Sequence, residues 1–231
     1  MRRFNTTGTC YPDEHYMVDI TKRLDIIEQK VANGEYITIN RGRQYGKTTT
    51  LYHLTERLNK DYVVFSISFE SFNQNNFATD DRLAFSLVNL MKNQIKIRKN
   101  INDYVRDAIT AIIDKNSEKK EISVENFAEL IENICSNSDK PIVLIIDEVD
   151  NASNYESFIE LLSMLRSKYL VRKKARTFQS VILAGVYDIK NLKLKVRYDS
   201  DHQYNSPWNI AVPFKADLSF AKNGIEQMLT E

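Results

Sequence analysis

Short apolar runs alternate along the chain with longer stretches whose apolar residues recur every three or four positions. The short runs are rich in β-branched and aromatic residues, which is typical of buried strands. The longer stretches have the spacing of amphipathic helices. Strands alternating with helices predict an α/β domain with a mostly parallel sheet and helices on both of its faces. The predicted strands are 36–40, 62–68, 142–146, 180–184 and, more weakly, 209–212, and the predicted helices include 20–32, 48–59 and 154–169.

The segment 80–136 breaks this alternation, because it contains apolar residues at helical spacing but no strand candidate. Polar breaks near 99–100 and 116–120 divide it, so we expect two or three helices there. This segment precedes the strand 142–146, so we predict a helical insertion before that strand.

A Gly46-Lys47-Thr48 sequence lies between the first predicted strand and the helix 48–59. A phosphate-binding loop has the pattern G-x-x-x-x-G-K-[ST] in this strand–loop–helix context. The usual first glycine is replaced by Arg41, with Gly42 one position later, which weakens the match and leaves an ordinary exposed turn as the alternative. In the functional interpretation, backbone amides at a helix N-terminus bind phosphate, Lys47 neutralises phosphate charge and Thr48 ligates Mg²⁺. The predicted nucleotide-binding residues are Gly42, Arg43, Gln44, Tyr45, Gly46, Lys47, Thr48 and Thr49.

The apolar strand 142–146 ends in a second motif, the acidic pair Asp147-Glu148. Phosphoryl transfer needs one carboxylate near Mg²⁺ and another group that orients or deprotonates the attacking water. We expect Asp147 to hold Mg²⁺ and Glu148 to act as the general base, with Lys47 as the second catalytic residue. A solvated acidic turn is the alternative, but the order strand, Gly-Lys-Thr, helix and acidic strand disfavours it. Asp150 is expected to be a loop or helix-capping residue rather than a metal ligand.

Composition adds only modest limits. The chain has 231 residues and a net charge of +1, which gives no support for a nucleic-acid partner. Cys10 and Cys135 form no disulfide framework and no metal spacing, and no apolar run is long enough to span a membrane. We therefore expect a cytoplasmic protein without a membrane partner.

A basic run at 166–178 contains six lysines and arginines. It leaves nucleic-acid binding open, as well as an arginine finger that reaches a neighbouring subunit's nucleotide. A solvated helix end is the favoured interpretation. The finger candidates are Arg166, Arg172 and Arg197.

Taken together, these motifs resemble the bacterial AAA-like P-loop ATPases, close to the signal-transduction (STAND-type) and "predicted AAA-ATPase" groups. The resemblance covers nearly the whole chain. It is carried by the segments FNTTGTCYPDEHYMVDITKRLDII, NRGRQYGKTTTL, IVLIIDEVD, SVILAGVYDIKNL and YNSPWNIA. In this family an arginine commonly occupies the first position of the phosphate loop, as Arg41 does here.

The resemblance implies a three-layer α/β/α sandwich with a parallel five-stranded sheet of order 5-1-4-3-2, together with ATP, Mg²⁺ and a nucleotide-driven conformational switch. It also implies one domain over 1–231, in which residues 1–35 lie beside the adenine. Tyr16 and Met17 are the candidates for adenine packing, although core positions are an equal alternative.

Two departures from the family pattern limit what can be transferred. Val186-Tyr187-Asp188 stands where relatives have a small polar sensor residue, and the chain ends at Glu231, before the lid or winged-helix region of relatives. Three functions remain open: an ATPase, a nucleotide-gated signalling module with negligible turnover alone, and a nucleic-acid-associated motor. The expected partners are ATP and ADP, with a second copy of the chain or an effector protein.

Overall fold

The computed structural model describes residues 2–5, 8–40, 42, 46–98, 101–186, 207–214 and 226. Its helices are α1 (Thr21–Ala32), α2 (Lys47–Leu58), α3 (Asp80–Ile97), α4 (Asp103–Lys115), α5 (Val124–Asn137) and α6 (Glu156–Leu170). Its strands are β1 (Ile37–Asn40), β2 (Val63–Ser68), β3 (Ile142–Asp147), β4 (Ser180–Gly185) and β5 (Val212–Pro213). Short 3-10 turns at Phe69–Ser71, Gln74–Phe77, Val149–Ala152 and Pro207–Ile210 connect them.

All five strands belong to one parallel sheet in the order β2-β3-β4-β1-β5. Read from the opposite edge this is 5-1-4-3-2, which confirms the predicted order. Strand β4 lies between β1 and β3, with Ile39 opposite Ala184 and Ile145 opposite Ile182. The phosphate-loop strand and the acidic strand are therefore separated by one strand, and their carboxyl ends lie at the same end of the sheet.

The strands are apolar on both faces, as expected for a parallel sheet covered by helices on each side. One face packs alternate strand residues such as Val64, Ile145 and Ile182 against α1 and α2. The other packs Phe65, Leu144 and Leu183 against α3, α4, α5 and α6. The three-layer α/β/α architecture is thus confirmed, and the insertion before β3 forms three helices, which agrees with the predicted two or three.

Side chains from α3 cover the outer edge of β2. The Gln94 side-chain amide accepts a hydrogen bond from the Ser66 backbone N–H at 3.2 Å and donates one to the Ser66 carbonyl at 2.5 Å. Arg98 donates to the Val64 carbonyl on the same edge. Because an uncovered strand edge presents unpaired backbone groups, these contacts explain how β2 can end the sheet.

The weakest strand prediction was wrong in its position. The segment 209–212 was predicted as a strand, but Pro207–Ile210 forms a 3-10 turn and β5 is Val212–Pro213. Pro207 and the fully buried Trp208 explain why the strand begins later than predicted. Trp208 stacks on Tyr36 at a ring distance of 5.6 Å, and this packing places its segment in the core as a turn. Trp208 is therefore a packing residue.

Candidate functional site

Gly46 is the residue before α2 and ends the phosphate-loop segment. Gly46 has a φ of 72°, in the left-handed region that glycine adopts at low cost. Among the described residues, nothing lies within 4 Å of a Cβ atom added at Gly46. The first amides of a helix have no partner within the helix, and at α2 they lie at the carboxyl end of the sheet. This arrangement suits a bound anion.

Lys47 is buried at the start of α2, with a side chain only 5% exposed. Its Nζ has no hydrogen-bond partner among the described residues. The nearest opposite charge is Glu148, whose Oε1 lies 3.8 Å from Lys47 Nζ. A buried ammonium with so little compensation is costly, and a bound anion would supply the missing partners.

Thr48 and Asp147 meet at the centre of the site. Thr48 Oγ1 donates a hydrogen bond of 3.2 Å to Asp147 Oδ2. Asp147 is the last residue of β3 and is 8% exposed. Burial raises the pKa of this carboxyl above its usual value of 3.8. The hydrogen bond of 2.9 Å that Asp147 accepts from the Glu148 backbone N–H lowers the pKa, but burial has the larger effect. The hydroxyl and the carboxylate offer hard oxygen atoms of the kind that Mg²⁺ prefers.

Glu148 directly follows the acidic strand and has an unusual backbone conformation. Its φ of 54° and ψ of 40° place it in the left-handed region, which is unfavourable for a residue with a Cβ atom. Its side chain is 31% exposed, so it can reach solvent while it faces Lys47. Backbone strain of this kind clusters at functional sites.

The segment before α1 lies against the first turns of α2. The Cys10 backbone N–H donates to Thr49 Oγ1 at 3.1 Å, and His53 Nε2 lies 3.0 Å from the Cys10 carbonyl oxygen. Sequence reasoning missed both contacts, because neither Cys10 nor His53 belongs to a motif. Tyr16 packs against Phe4 at a ring distance of 4.9 Å, and Met17 packs against the α1–α2 side of the core.

The structure therefore brings together Gly46, Lys47, Thr48, Asp147 and Glu148, while the Thr49 hydroxyl faces the N-terminal segment. Gly42 is half-buried after β1. The predicted residues Arg43, Gln44 and Tyr45, and with them Arg41, Asp188 and Arg197, lie outside the described residues.

The exposed basic residues that follow α6 are remote from this site. Arg172 lies just before β4, at the amino end of the sheet, where it bonds the Gly34 carbonyl and its guanidinium lies 3.9 Å from the centre of the Tyr169 ring. The candidate site lies at the carboxyl end. Arg172 is therefore placed away from the Lys47 site of its own chain.

The described part of the chain offers neither a ready metal cluster nor a membrane-spanning helix. No group of three or more His, Cys, Asp and Glu side chains there could hold a metal ion by itself. A cation at Thr48 and Asp147 would need further ligands from nucleotide and water. No helix in the same ranges has the length and apolar character needed to cross a bilayer.

Comparison with known proteins agrees with the fold described above. A family model described as an AAA-like domain matches residues 12–230, whereas no curated protein matches the sequence. The solved structure of a Walker-type ATPase of Pyrococcus abyssi superposes with a TM-score of 0.60 at 14% identity, and the match covers 98% of this chain and 60% of that one. This likeness concerns the fold, and the chain spans about 60% of the length of that neighbour.

The crystal structure of the Pif1 helicase from Candida albicans matches more weakly. Its TM-score is 0.37 at 16% identity, with 75% of this chain and 34% of that chain covered. We draw no conclusion about the chain from this weaker match. The family model spans nearly the whole sequence and the sheet order is the one expected of it, so the chain belongs to the AAA-like family of P-loop ATPases.

Proposed function

We propose that the chain binds Mg·ATP at the start of α2 and hydrolyses it to ADP and phosphate, and that this cycle drives a conformational switch. The observation that carries the proposal is the contact between Thr48 and Asp147, with the buried Lys47 beside it. A phosphate-binding helix start, an ammonium group and a carboxylate thereby lie within one small region.

Binding would use donor groups for which the described residues offer no hydrogen-bond acceptor. The first amides of α2 point toward the carboxyl end of the sheet, and Lys47 Nζ has no hydrogen-bond acceptor among the described residues. Charge-assisted hydrogen bonds from these groups to phosphate oxygens are each stronger than neutral ones. Lys47 would exchange its ion pair with Glu148 for the more highly charged triphosphate.

The residues present also fit a magnesium ion. Thr48 Oγ1 and Asp147 Oδ2 would hold it, directly or through water, and the remaining ligands would be water and phosphate oxygens. A bound Mg²⁺ would neutralise charge that develops on the phosphate oxygens during transfer. Cation binding would also favour the ionised form of Asp147, whose pKa burial raises in the free chain.

Hydrolysis would depend on Glu148. Its carboxylate is partly exposed at the tip of β3 and can accept a proton from an attacking water. In the free chain it lies 3.8 Å from Lys47 Nζ, so the ammonium holds the base in an ion pair. Withdrawal of Lys47 toward phosphate would free Glu148 to act on water.

The same ion pair supports a second candidate function. If Glu148 remains paired with Lys47 after nucleotide binds, the chain would act as a nucleotide-gated signalling module with negligible turnover on its own. A partner protein or a second copy of the chain would then be required for hydrolysis.

Thermal-shift and phosphate-release assays with ATP, ADP, GTP and EDTA test the proposal. We expect a rise in melting temperature with ATP plus Mg²⁺, loss of part of that rise with EDTA, and phosphate release from ATP. Binding without release at any protein concentration would favour the gated module. No thermal shift with any nucleotide would refute both candidates.

A further inference from the structure

Asp150 lies two positions after Glu148, in the 3-10 turn Val149–Ala152, and takes no part in the contacts proposed for phosphate or metal. Its carboxylate instead reaches the neighbouring strand. Asp150 Oδ2 accepts a hydrogen bond of 2.5 Å from the backbone N–H of Val186, the residue just beyond β4. A side chain of the acidic turn, defined here as residues 148–152, therefore bonds directly to the tip of β4.

Gly185 shows that this contact is closely fitted. A Cβ atom added to Gly185 would lie 2.9 Å from Asp150 Oδ2 and 2.9 Å from Val149 Cγ2. Such distances are too short for real atoms, so a larger residue would displace the Asp150 carboxylate and the Val149 side chain of the acidic turn. Glycine at 185 lets the backbone of β4 approach the turn.

The acidic turn is also attached on its other side. The Asn151 side chain donates to the Phe69 carbonyl at 3.2 Å, at the start of the turn that follows β2. Strand β3 lies between β2 and β4 in the sheet. The turn that begins with Glu148 is thus tied to the tips of both neighbouring strands by two adjacent side chains.

These attachments explain how Glu148 keeps an unfavourable backbone conformation. A left-handed residue with a Cβ atom persists only where its surroundings hold it in place. The Asn151 backbone N–H bonds the Glu148 carbonyl at 3.1 Å, which closes the turn on itself. Without the Asp150 contact the turn could relax, and the Glu148 side chain would point elsewhere.

We propose that Asp150 is a positioning residue, which fixes the orientation of Glu148 by bonding the acidic turn to the tip of β4. This inference rests on the proposed function, since it concerns the base of the proposed hydrolysis. It goes beyond the sequence expectation of a loop or capping role, because the Asp150 carboxylate bonds the backbone just beyond the neighbouring strand β4.

The test compares three variants of the full chain. Asp150→Ala removes the acceptor, Asp150→Asn keeps an acceptor oxygen for Val186, and Gly185→Ala pushes the turn away. A misplacement of about 1 Å can cost about 100-fold in rate. We therefore expect kcat to fall about 10- to 100-fold in Asp150→Ala and Gly185→Ala. In Asp150→Asn, kcat should stay within about threefold of the wild type. The KM for ATP should change little in all three variants. Asn154→Ala, an exposed residue next to the turn, is the matched control and should match the wild type.

A double-mutant comparison separates positioning from general destabilisation. If Asp150 acts through Glu148, adding Asp150→Ala to Glu148→Gln should cause little further loss of kcat, whereas independent effects would multiply. Hydrogen exchange at Val186 provides a readout without turnover, and Asp150→Ala should speed it while the melting curve stays cooperative.

The outcomes are distinct. An unchanged kcat in Asp150→Ala, a raised KM with unchanged kcat, or multiplied losses in the double variant would each overturn the positioning role while the ATPase proposal stands. If Asp150→Ala does not fold, the contrast between Asp150→Asn and Gly185→Ala decides in the same way. A wild-type chain that binds nucleotide but releases no phosphate would overturn the proposed hydrolysis and this inference with it.

Discussion

Thr48 and Asp147 are 99 positions apart in sequence, yet the Thr48 hydroxyl donates a 3.2 Å hydrogen bond to the Asp147 carboxylate. Thr48 lies on the helix that follows β1, and Asp147 ends β3, so the contact spans the strand β4 that lies between them in the sheet. It is possible because α2 begins at the carboxyl end of the sheet, where Asp147 also lies. Two motifs that are separate in sequence therefore form one site.

Removal of the Lys47 ammonium should weaken nucleotide binding. A hydrogen bond to a charged group contributes about 1.5–3 kcal/mol, so Lys47→Ala should lower the affinity for Mg·ATP by about 10- to 100-fold or more. Isothermal titration calorimetry measures this directly. Lys60→Ala, which changes an exposed lysine just beyond the other end of α2, is the control and should bind as the wild type does. Equal affinities for all three chains would exclude Lys47 from the phosphate site.

Neutralisation of the proposed base should separate binding from turnover. General-base catalysis contributes about 10²- to 10⁴-fold, so Glu148→Gln should lose turnover by a factor in this range while it still binds ATP. Phosphate release and calorimetry on the same sample give the two quantities. Glu160→Gln alters an exposed residue of α6 and should change neither. Normal hydrolysis by Glu148→Gln would assign the base elsewhere.

The buried Asp147 carboxyl should make the free chain less stable at neutral pH. Its pKa is raised above 3.8 in the folded state, mainly by burial, so its contribution to the free energy of unfolding is largest at low pH. That contribution is lost as pH rises from 3.8 through the folded value. Asp147→Asn should therefore raise the melting temperature of the free chain at pH 7, by about 2–4 °C for each kcal/mol relieved, and should abolish the Mg²⁺-dependent part of the ATP shift.

Scanning calorimetry between pH 4 and pH 8 tests this prediction. The stabilisation of Asp147→Asn over the wild type should grow as pH rises from 3.8 through the folded pKa of Asp147 and should then level off. Asp107→Asn, on the exposed side of α4, should show no such trend. A lower melting temperature for Asp147→Asn at neutral pH would mean that the ionised carboxylate stabilises the free chain.

The edge contact of β2 should contribute measurably to stability. Gln94→Ala leaves the Ser66 N–H and carbonyl without their side-chain partner, which costs about 1–3 kcal/mol where water cannot replace it. We expect a melting temperature lower by several degrees and faster hydrogen exchange at Ser66. Asn93→Ala, its exposed neighbour on α3, should leave both unchanged. If the two variants melt alike, water replaces the Gln94 amide at this edge.

Charge reversal in the basic run at 166–178 should leave the intrinsic turnover of a single chain unaffected. Lys173 and Lys174 are exposed just before β4, at the end of the sheet opposite to Lys47. Lys173→Glu with Lys174→Glu should therefore keep kcat within about twofold at low protein concentration. A loss that appears only as concentration rises would place this run in a contact between chains. Salt-sensitive binding of single-stranded DNA or RNA that the variant loses would instead support the nucleic-acid interpretation.

The sequence predicted the sheet well and the side-chain contacts around it poorly. The four longer strands were located to within one residue at each end, because β-branched runs of buried residues have few other interpretations. The weak fifth strand was misplaced, because the apolar residues that suggested it include part of the 3-10 turn from which Trp208 packs into the core. Lys47, Thr48, Asp147 and Glu148 belong to recognisable motifs, so their proximity could be expected from the sheet order.

The contacts of Asp150, Gln94 and Cys10 could not be expected in the same way. Each is a hydrogen bond between a side chain and a backbone group that lie in segments distant in sequence. Such hydrogen bonds depend on the distance between two folded segments, and neither segment carries a residue pattern that signals the other. Gly185 carried a signal that the sequence analysis did not use, because a glycine in a strand often marks close backbone approach.

The cover that α3 places over β2 also restricts how copies of this chain could assemble. Gln94 and Arg98 occupy the Ser66 N–H, the Ser66 carbonyl and the Val64 carbonyl, so these three groups are not available to a strand of a second molecule. A copy of the chain that approaches this part of the edge would meet side chains there instead of free backbone groups.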